Sequence, residues 1–92
     1  MKKTFLVQVQ GRVQGVGFRY YTEQQANRLG ITGWVRNCSD GSVEVLICGD
    51  ESQTKAMLSW LKHGPPSASV RDINVKKTNT PAGLDFRVTY TY

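Results

Sequence analysis

The stretch Gly11–Arg19, G-R-V-Q-G-V-G-F-R, limits what this chain can be more than any other. Its glycines at 11, 15 and 17 follow a strand-like apolar run and precede a helix-like one. Glycine accepts positive φ and lets the backbone come close to a ligand. A row of inward-turned backbone N–H groups that runs into a helix N-terminus makes a concave site for an anion. Arg19 falls where that helix begins, and its planar fork of donors matches a phosphate or carboxylate. The stretch therefore points to a site for a small, doubly charged oxyanion. Two other phosphate motifs are excluded: no Lys follows the glycines as a P-loop requires, and the glycine positions break the G-x-G-x-x-G spacing. Since plain strand-to-helix turns also use glycines, the loop needs a second feature before it reads as a site.

The period of the apolar residues supplies the elements around it. Thr4–Gln10 alternates as a strand, with Phe5, Val7 and Val9 on one face. From Phe18 the period becomes helical, with Phe18, Thr22, Ala26 and Leu29 on one stripe and Gly30 as the stop. Ile31–Cys38 and Ser42–Cys48 return to period two around the turn Ser39-Asp40-Gly41. A three-residue loop there aligns Val43, Val45 and Ile47 with Asn37, Val35 and Gly33, which gathers the β-branched residues on one face. In that register Cys48 opposes Thr32, roughly 20 Å along the strand from Cys38, so the two thiols do not meet. Asp50 is the N-cap of a second helix, with Gln53 completing a capping box. Thr54, Met57, Leu58 and Leu61 form its buried stripe, Lys62 and His63 its last turn, and Gly64-Pro65-Pro66 its stop. Val70–Thr78 is a strand in which Val70 is out of phase, the mark of a bulge or a later start. Leu84–Tyr92 alternates as a last strand that carries the chain end to a sheet edge.

The order is βαββαβ plus a C-terminal strand. Its economical solution is an α+β, ferredoxin-like split βαβ sandwich, an antiparallel sheet with both helices on one face. Right-handed crossovers bring the C-terminal ends of the first two strands, Gln10 and Asn37, to the same sheet edge. Asn37 then points to the helix-covered face, about two strand spacings, roughly 10 Å, from the glycine loop. An inward amide at a strand end often satisfies turn backbone. Facing a glycine loop and Arg19, it becomes the second feature that the loop needs.

Composition bounds the partners. The 92 residues make one domain with one modest core. No apolar run reaches the roughly 20 residues of a membrane helix, and no signal peptide is evident, so the cytosol is the expected compartment. The net charge of +5 and pI of about 9.5 suit an anionic partner, yet the basic residues are scattered. Two cysteines and one histidine are too few for a zinc site of those ligands. Single-stranded RNA readers share the split sheet, but their R-G-F-G-F-V-x-F-like aromatic run is missing. His63 reads as a helix-end surface residue, Cys38 as a strand residue on the exposed face, and Arg12 and Gln14 as solvent-facing loop residues.

The run V-Q-G-R-V-Q-G-V-G-F-R at Val9–Arg19 closely resembles the first signature of the acylphosphatase family. The run G-W-V-R-N-C-S-D-G-S-V-E-V-L-I-C-G at Gly33–Gly49 resembles the second. Their separation, the length and the element order are similar to the family's over residues 1–92. The resemblance implies a metal-independent and cofactor-free hydrolase of acyl phosphates that takes a small-molecule substrate and works as a cytoplasmic monomer. It also implies a phosphoryl group held by the backbone of Gly15, Val16, Gly17, Phe18 and Arg19, with Arg19 and Asn37 catalytic and a water on Asn37. Larger proteins carry similar modules, which leaves an anion-sensing or carbamoyl-phosphate-handling domain as the alternative.

Overall fold

A computed structural model describes residues 1–89. The elements follow in the order β1 (Lys3–Arg12), α1 (Phe18–Leu29), β2 (Thr32–Asn37), β3 (Val43–Gly49), α2 (Glu51–Leu61), β4 (Ser69–Lys77) and β5 (Phe86–Val88). The five strands form one sheet in the order β4-β1-β3-β2-β5. β1 and β2 are both antiparallel to β3 between them, and β4 is antiparallel to β1. These are the split βαβ crossings expected from the sequence.

The sheet is mixed where an antiparallel one was expected, because β5 runs parallel to β2. The connection at 78–85 explains the direction. It leaves β4 at one end of the sheet and crosses to the far edge, about 19 Å over four strand spacings. Eight extended residues span about 27 Å, so the chain reaches the β2 edge without first turning back. β5 therefore enters from the end at which β2 also starts. The expected strand Leu84–Tyr92 is observed as Phe86–Val88, with Leu84 fully exposed outside the ladder. The rest of that expectation, at Tyr90–Tyr92, lies outside the described residues.

The hairpin register is the three-residue one: Gly33, Val35 and Asn37 pair with Ile47, Val45 and Val43, and Thr32 pairs with Cys48. Val7, Val9, Val35, Val43, Val45, Ile47 and Phe86 then line one buried face. Phe18 and Ala26 of α1 and Met57 and Leu61 of α2 close over it. On the opposite face Leu46 is also buried, between Leu6 and Trp34 in register.

The helix ends follow local chemistry. Gly30 is left-handed, and the N–H groups of Gly30 and Ile31 return to the Asn27 and Ala26 carbonyls, which closes α1. Asp50 accepts from the Gln53 N–H at 2.8 Å while the Gln53 side chain accepts from the Asp50 N–H at 2.8 Å. That pair is the expected capping box. α2 closes at Leu61, slightly earlier than the sequence suggested: Lys62 is its C-cap and His63 lies just past it. The β1–β4 pairing slips between Gln10 and Gly11 of β1, where Arg71 is the extra residue on β4, and this bulge accounts for the phase of Val70.

Candidate active site

β1 and β2 deliver their C-terminal ends to one edge of the sheet, and the loop after β1 climbs there to α1. Gly15 and Gly17 sit at φ 74° and 76°. Among the described residues a Cβ at Gly15 would meet nothing within 4 Å, so the positive φ is what calls for glycine at that position. Gly17 is the N-cap of α1 in the left-handed region, and no side chain among the described residues caps the helix. The first turn carries no acidic residue. Its leading N–H groups have no intrahelical acceptors, and the positive end of the helix dipole faces outward with them. Gly15, Gly17, Phe18 and Arg19 line a cavity of about 600 Å³ together with Asn37. Val13, Tyr20, Glu23, Phe86, Arg87 and Val88 complete its wall.

The residues expected from the sequence are therefore brought together, with one exception in kind. Val16 does not line the cavity by its side chain, which packs against the core. Its carbonyl accepts from the Ser67 hydroxyl at 2.8 Å, so the loop is tied to the segment before β4. Arg19 is half-buried and donates through Nη1 to the Thr89 carbonyl at 3.1 Å. Thr89 is itself held to β2, since its N–H donates to the Val35 carbonyl at 2.8 Å. Asn37 is half-buried and shares a face with Val35 and Gly33. His63 is exposed and does not line the cavity; its Nδ1 lies 3.2 Å from the Ser59 carbonyl.

Two loop residues differ from expectation. Gln14 does not face solvent: its Nε2 donates to the carbonyls of Cys38 and Ser42 at 2.7 and 2.8 Å. Cys38 is half-buried in the turn just beyond β2, not a residue on an exposed strand face. A single sequence offers only one hint of the Gln14 contact, a long amide wedged between an apolar residue and a glycine. The wall contributed by β5 carries no hint at all, because its place depends on the partner of that strand. Among the described residues there is no group of three or more His, Cys, Asp and Glu side chains that could hold a metal. No helix among them is long and apolar enough to cross a membrane.

A family model named Acylphosphatase matches residues 5–88. This chain belongs to the acylphosphatase family. A relative named acylphosphatase from Paraburkholderia xenovorans is 51% identical over 78 residues, which are 85% of this chain and 80% of that protein. The solved structure of an acylphosphatase from Coxiella burnetii superimposes with a TM-score of 0.91 at 39% identity, covering 96% of this chain and 93% of that one. The crystal structure of acylphosphatase from Bacillus subtilis gives a TM-score of 0.90 at 37% identity, covering 98% and 100%. Membership makes this acylphosphatase-family chain an enzyme, and the reaction of the family is the hydrolysis of acyl phosphates.

Proposed function

We propose that this chain hydrolyses acyl phosphates in the cavity between the glycine loop, α1 and the end of β2, without a metal. A phosphoryl dianion sits on the backbone N–H groups of Gly15, Val16, Gly17, Phe18 and Arg19. The Arg19 guanidinium grips its oxygens, and Asn37 holds a water in line with the acyl oxygen. The water oxygen bonds to phosphorus as the bond from phosphorus to the acyl oxygen breaks. The products are a carboxylate and dihydrogen phosphate, which keeps both protons of the water. A carboxylate already leaves well, so a loose phosphoryl transfer needs positioning and charge stabilisation more than a strong acid or base.

The observation that carries this reading is the shared cavity: an uncapped helix N-terminus, Arg19 and Asn37 all open onto the same space. Its polar groups suit a phosphoryl anion, with backbone donors and guanidinium outweighing Glu23, the one wall carboxylate among the described residues. The protein is expected to act as a cytosolic monomer, and its mass by light scattering checks the second part.

The test is hydrolysis of benzoyl phosphate in the presence of a chelator. Arg19→Ala should lose about 10²–10³ in kcat/KM, the usual range for one electrostatic contact of this kind, through both binding and turnover. Arg19→Lys should remain poor because a point charge does not replace the fork. Asn37→Ala should lose mainly kcat, with inorganic phosphate still a competitive inhibitor of near-parental affinity. Near-parental hydrolysis by Arg19→Ala, or loss of parental activity to the chelator, would sink the assignment.

A further inference from the structure

The glycine loop and Asn37 belong to strands that are not neighbours. β3 lies between β1 and β2, so the two halves of the cavity are about two strand spacings, roughly 10 Å, apart along the sheet. Ladder hydrogen bonds through β3 set that distance only indirectly, since the loop leaves the sheet before it reaches Gly15. A direct link is present in the side chain of Gln14, the residue just before the first cradle glycine. Both hydrogens of its amide are used, one on the Cys38 carbonyl at 2.7 Å and one on the Ser42 carbonyl at 2.8 Å.

Those two acceptors flank the Asn37 position. Cys38 follows Asn37 directly, and Ser42 precedes Val43, the cross-strand partner of Asn37. Both carbonyls also serve the turn itself. Cys38 accepts from the Gly41 N–H at 3.1 Å, and Ser42 accepts from the Cys38 N–H at 2.8 Å. The turn is braced further by the Ser42 hydroxyl, which donates to Asp40 and accepts from Gln8. Gln14 thus fastens the loop to a turn that has its own cross-bracing hydrogen bonds.

We propose that Gln14 is a positioning residue, a strut that sets the spacing between the phosphate cradle and the water held by Asn37. This rests on the reading of the site given above. The strut touches neither the cradle N–H groups nor Arg19, so its loss leaves the grip on phosphate in place. It releases the loop from the end of β2, and a misplacement of about 1 Å in an in-line attack can cost about 10²-fold.

Steady-state kinetics on benzoyl phosphate test this. Gln14→Ala should lower kcat by about 10–100-fold while KM and the inhibition constant of inorganic phosphate stay within about threefold. In an Asn37→Ala background the same change should have no further effect, because the water it would misplace is no longer held. Gln14→Glu keeps the shape but cannot donate when ionised. Its kcat relative to the parent should rise as the pH falls through the ordinary glutamate range near about 4.3, which a merely structural role would not produce. Gln8→Ala removes a different hydrogen bond from the same turn and should keep parental kcat. Parental kcat in both Gln14 variants overturns the strut, as does full additivity with Asn37→Ala or a rise in KM alone. Should Gln14→Ala not fold, the pH response of Gln14→Glu decides. If Asn37→Ala itself turns over normally, the site assignment falls and the strut with it; if Asn37→Ala loses turnover and Gln14→Ala does not, only the strut falls.

Discussion

At the tip of the β2–β3 turn the Asp40 carboxylate accepts from the Ser42 hydroxyl at 2.6 Å and from the Ser42 N–H at 2.9 Å. The hydroxyl first, and the backbone N–H after it, hold its pKa below the ordinary value of 3.8. A carboxylate with a depressed folded-state pKa adds stability that is fully present above the unfolded value and is lost as pH falls through the folded one. The difference in Tm between the parent and Asp40→Asn should therefore be constant near neutrality and close below about pH 4. Thermal melts across the acid range measure it, and a difference unchanged down to pH 2 would contradict it. Residues of this kind differ in how readable they are. Asn37 could be placed from its strand register alone, and Arg19 from its position at the helix start. Gln14 could not, because its partners lie 24 and 28 positions away in a turn whose distance from the loop only the folded sheet defines.

The elements with strong local signals were legible: two helices with their caps and stops, and a hairpin whose apolar faces admit one good register. β5 was not, because a period of two says nothing about which edge a strand joins or in which direction. Its docking leans on an unusual position in β2. Gly33 has φ 139° and donates its N–H to the Asp85 carbonyl at 2.9 Å. A Cβ there would collide with the Leu46 carbonyl oxygen of β3. No side-chain rotation relieves such a clash, since the backbone fixes the Cβ position and the Leu46 oxygen is main chain. Gly33→Ala should cost about 1–3 kcal/mol from the strained backbone conformation alone. For a domain of this size that is a fall in Tm of about 5–20 °C, read by calorimetry, with the parental Tm as the contrary result. Asp50→Ala, which removes the α2 cap, should cost about 1 kcal/mol by the same measurement.

On the scale of the whole molecule, a ligand that binds only the folded chain stabilises it by mass action. Inorganic phosphate at 100 times its Kd should contribute about 2.7 kcal/mol, or a rise in Tm of about 10–20 °C. Arg19→Ala should lose most of that rise, while an equal ionic strength of chloride should not reproduce it. The same scale governs when the site comes into being. The hydrogen bond from Arg19 to the Thr89 carbonyl joins positions 70 residues apart. During synthesis at about 5–20 residues per second, Arg19 is translated about 4–14 s before the carbonyl that steadies it. On the proposed reading, a growing polypeptide on the ribosome carries every glycine of the cradle before the strand that steadies Arg19 exists, and hydrolytic competence is expected only once that strand has joined the sheet.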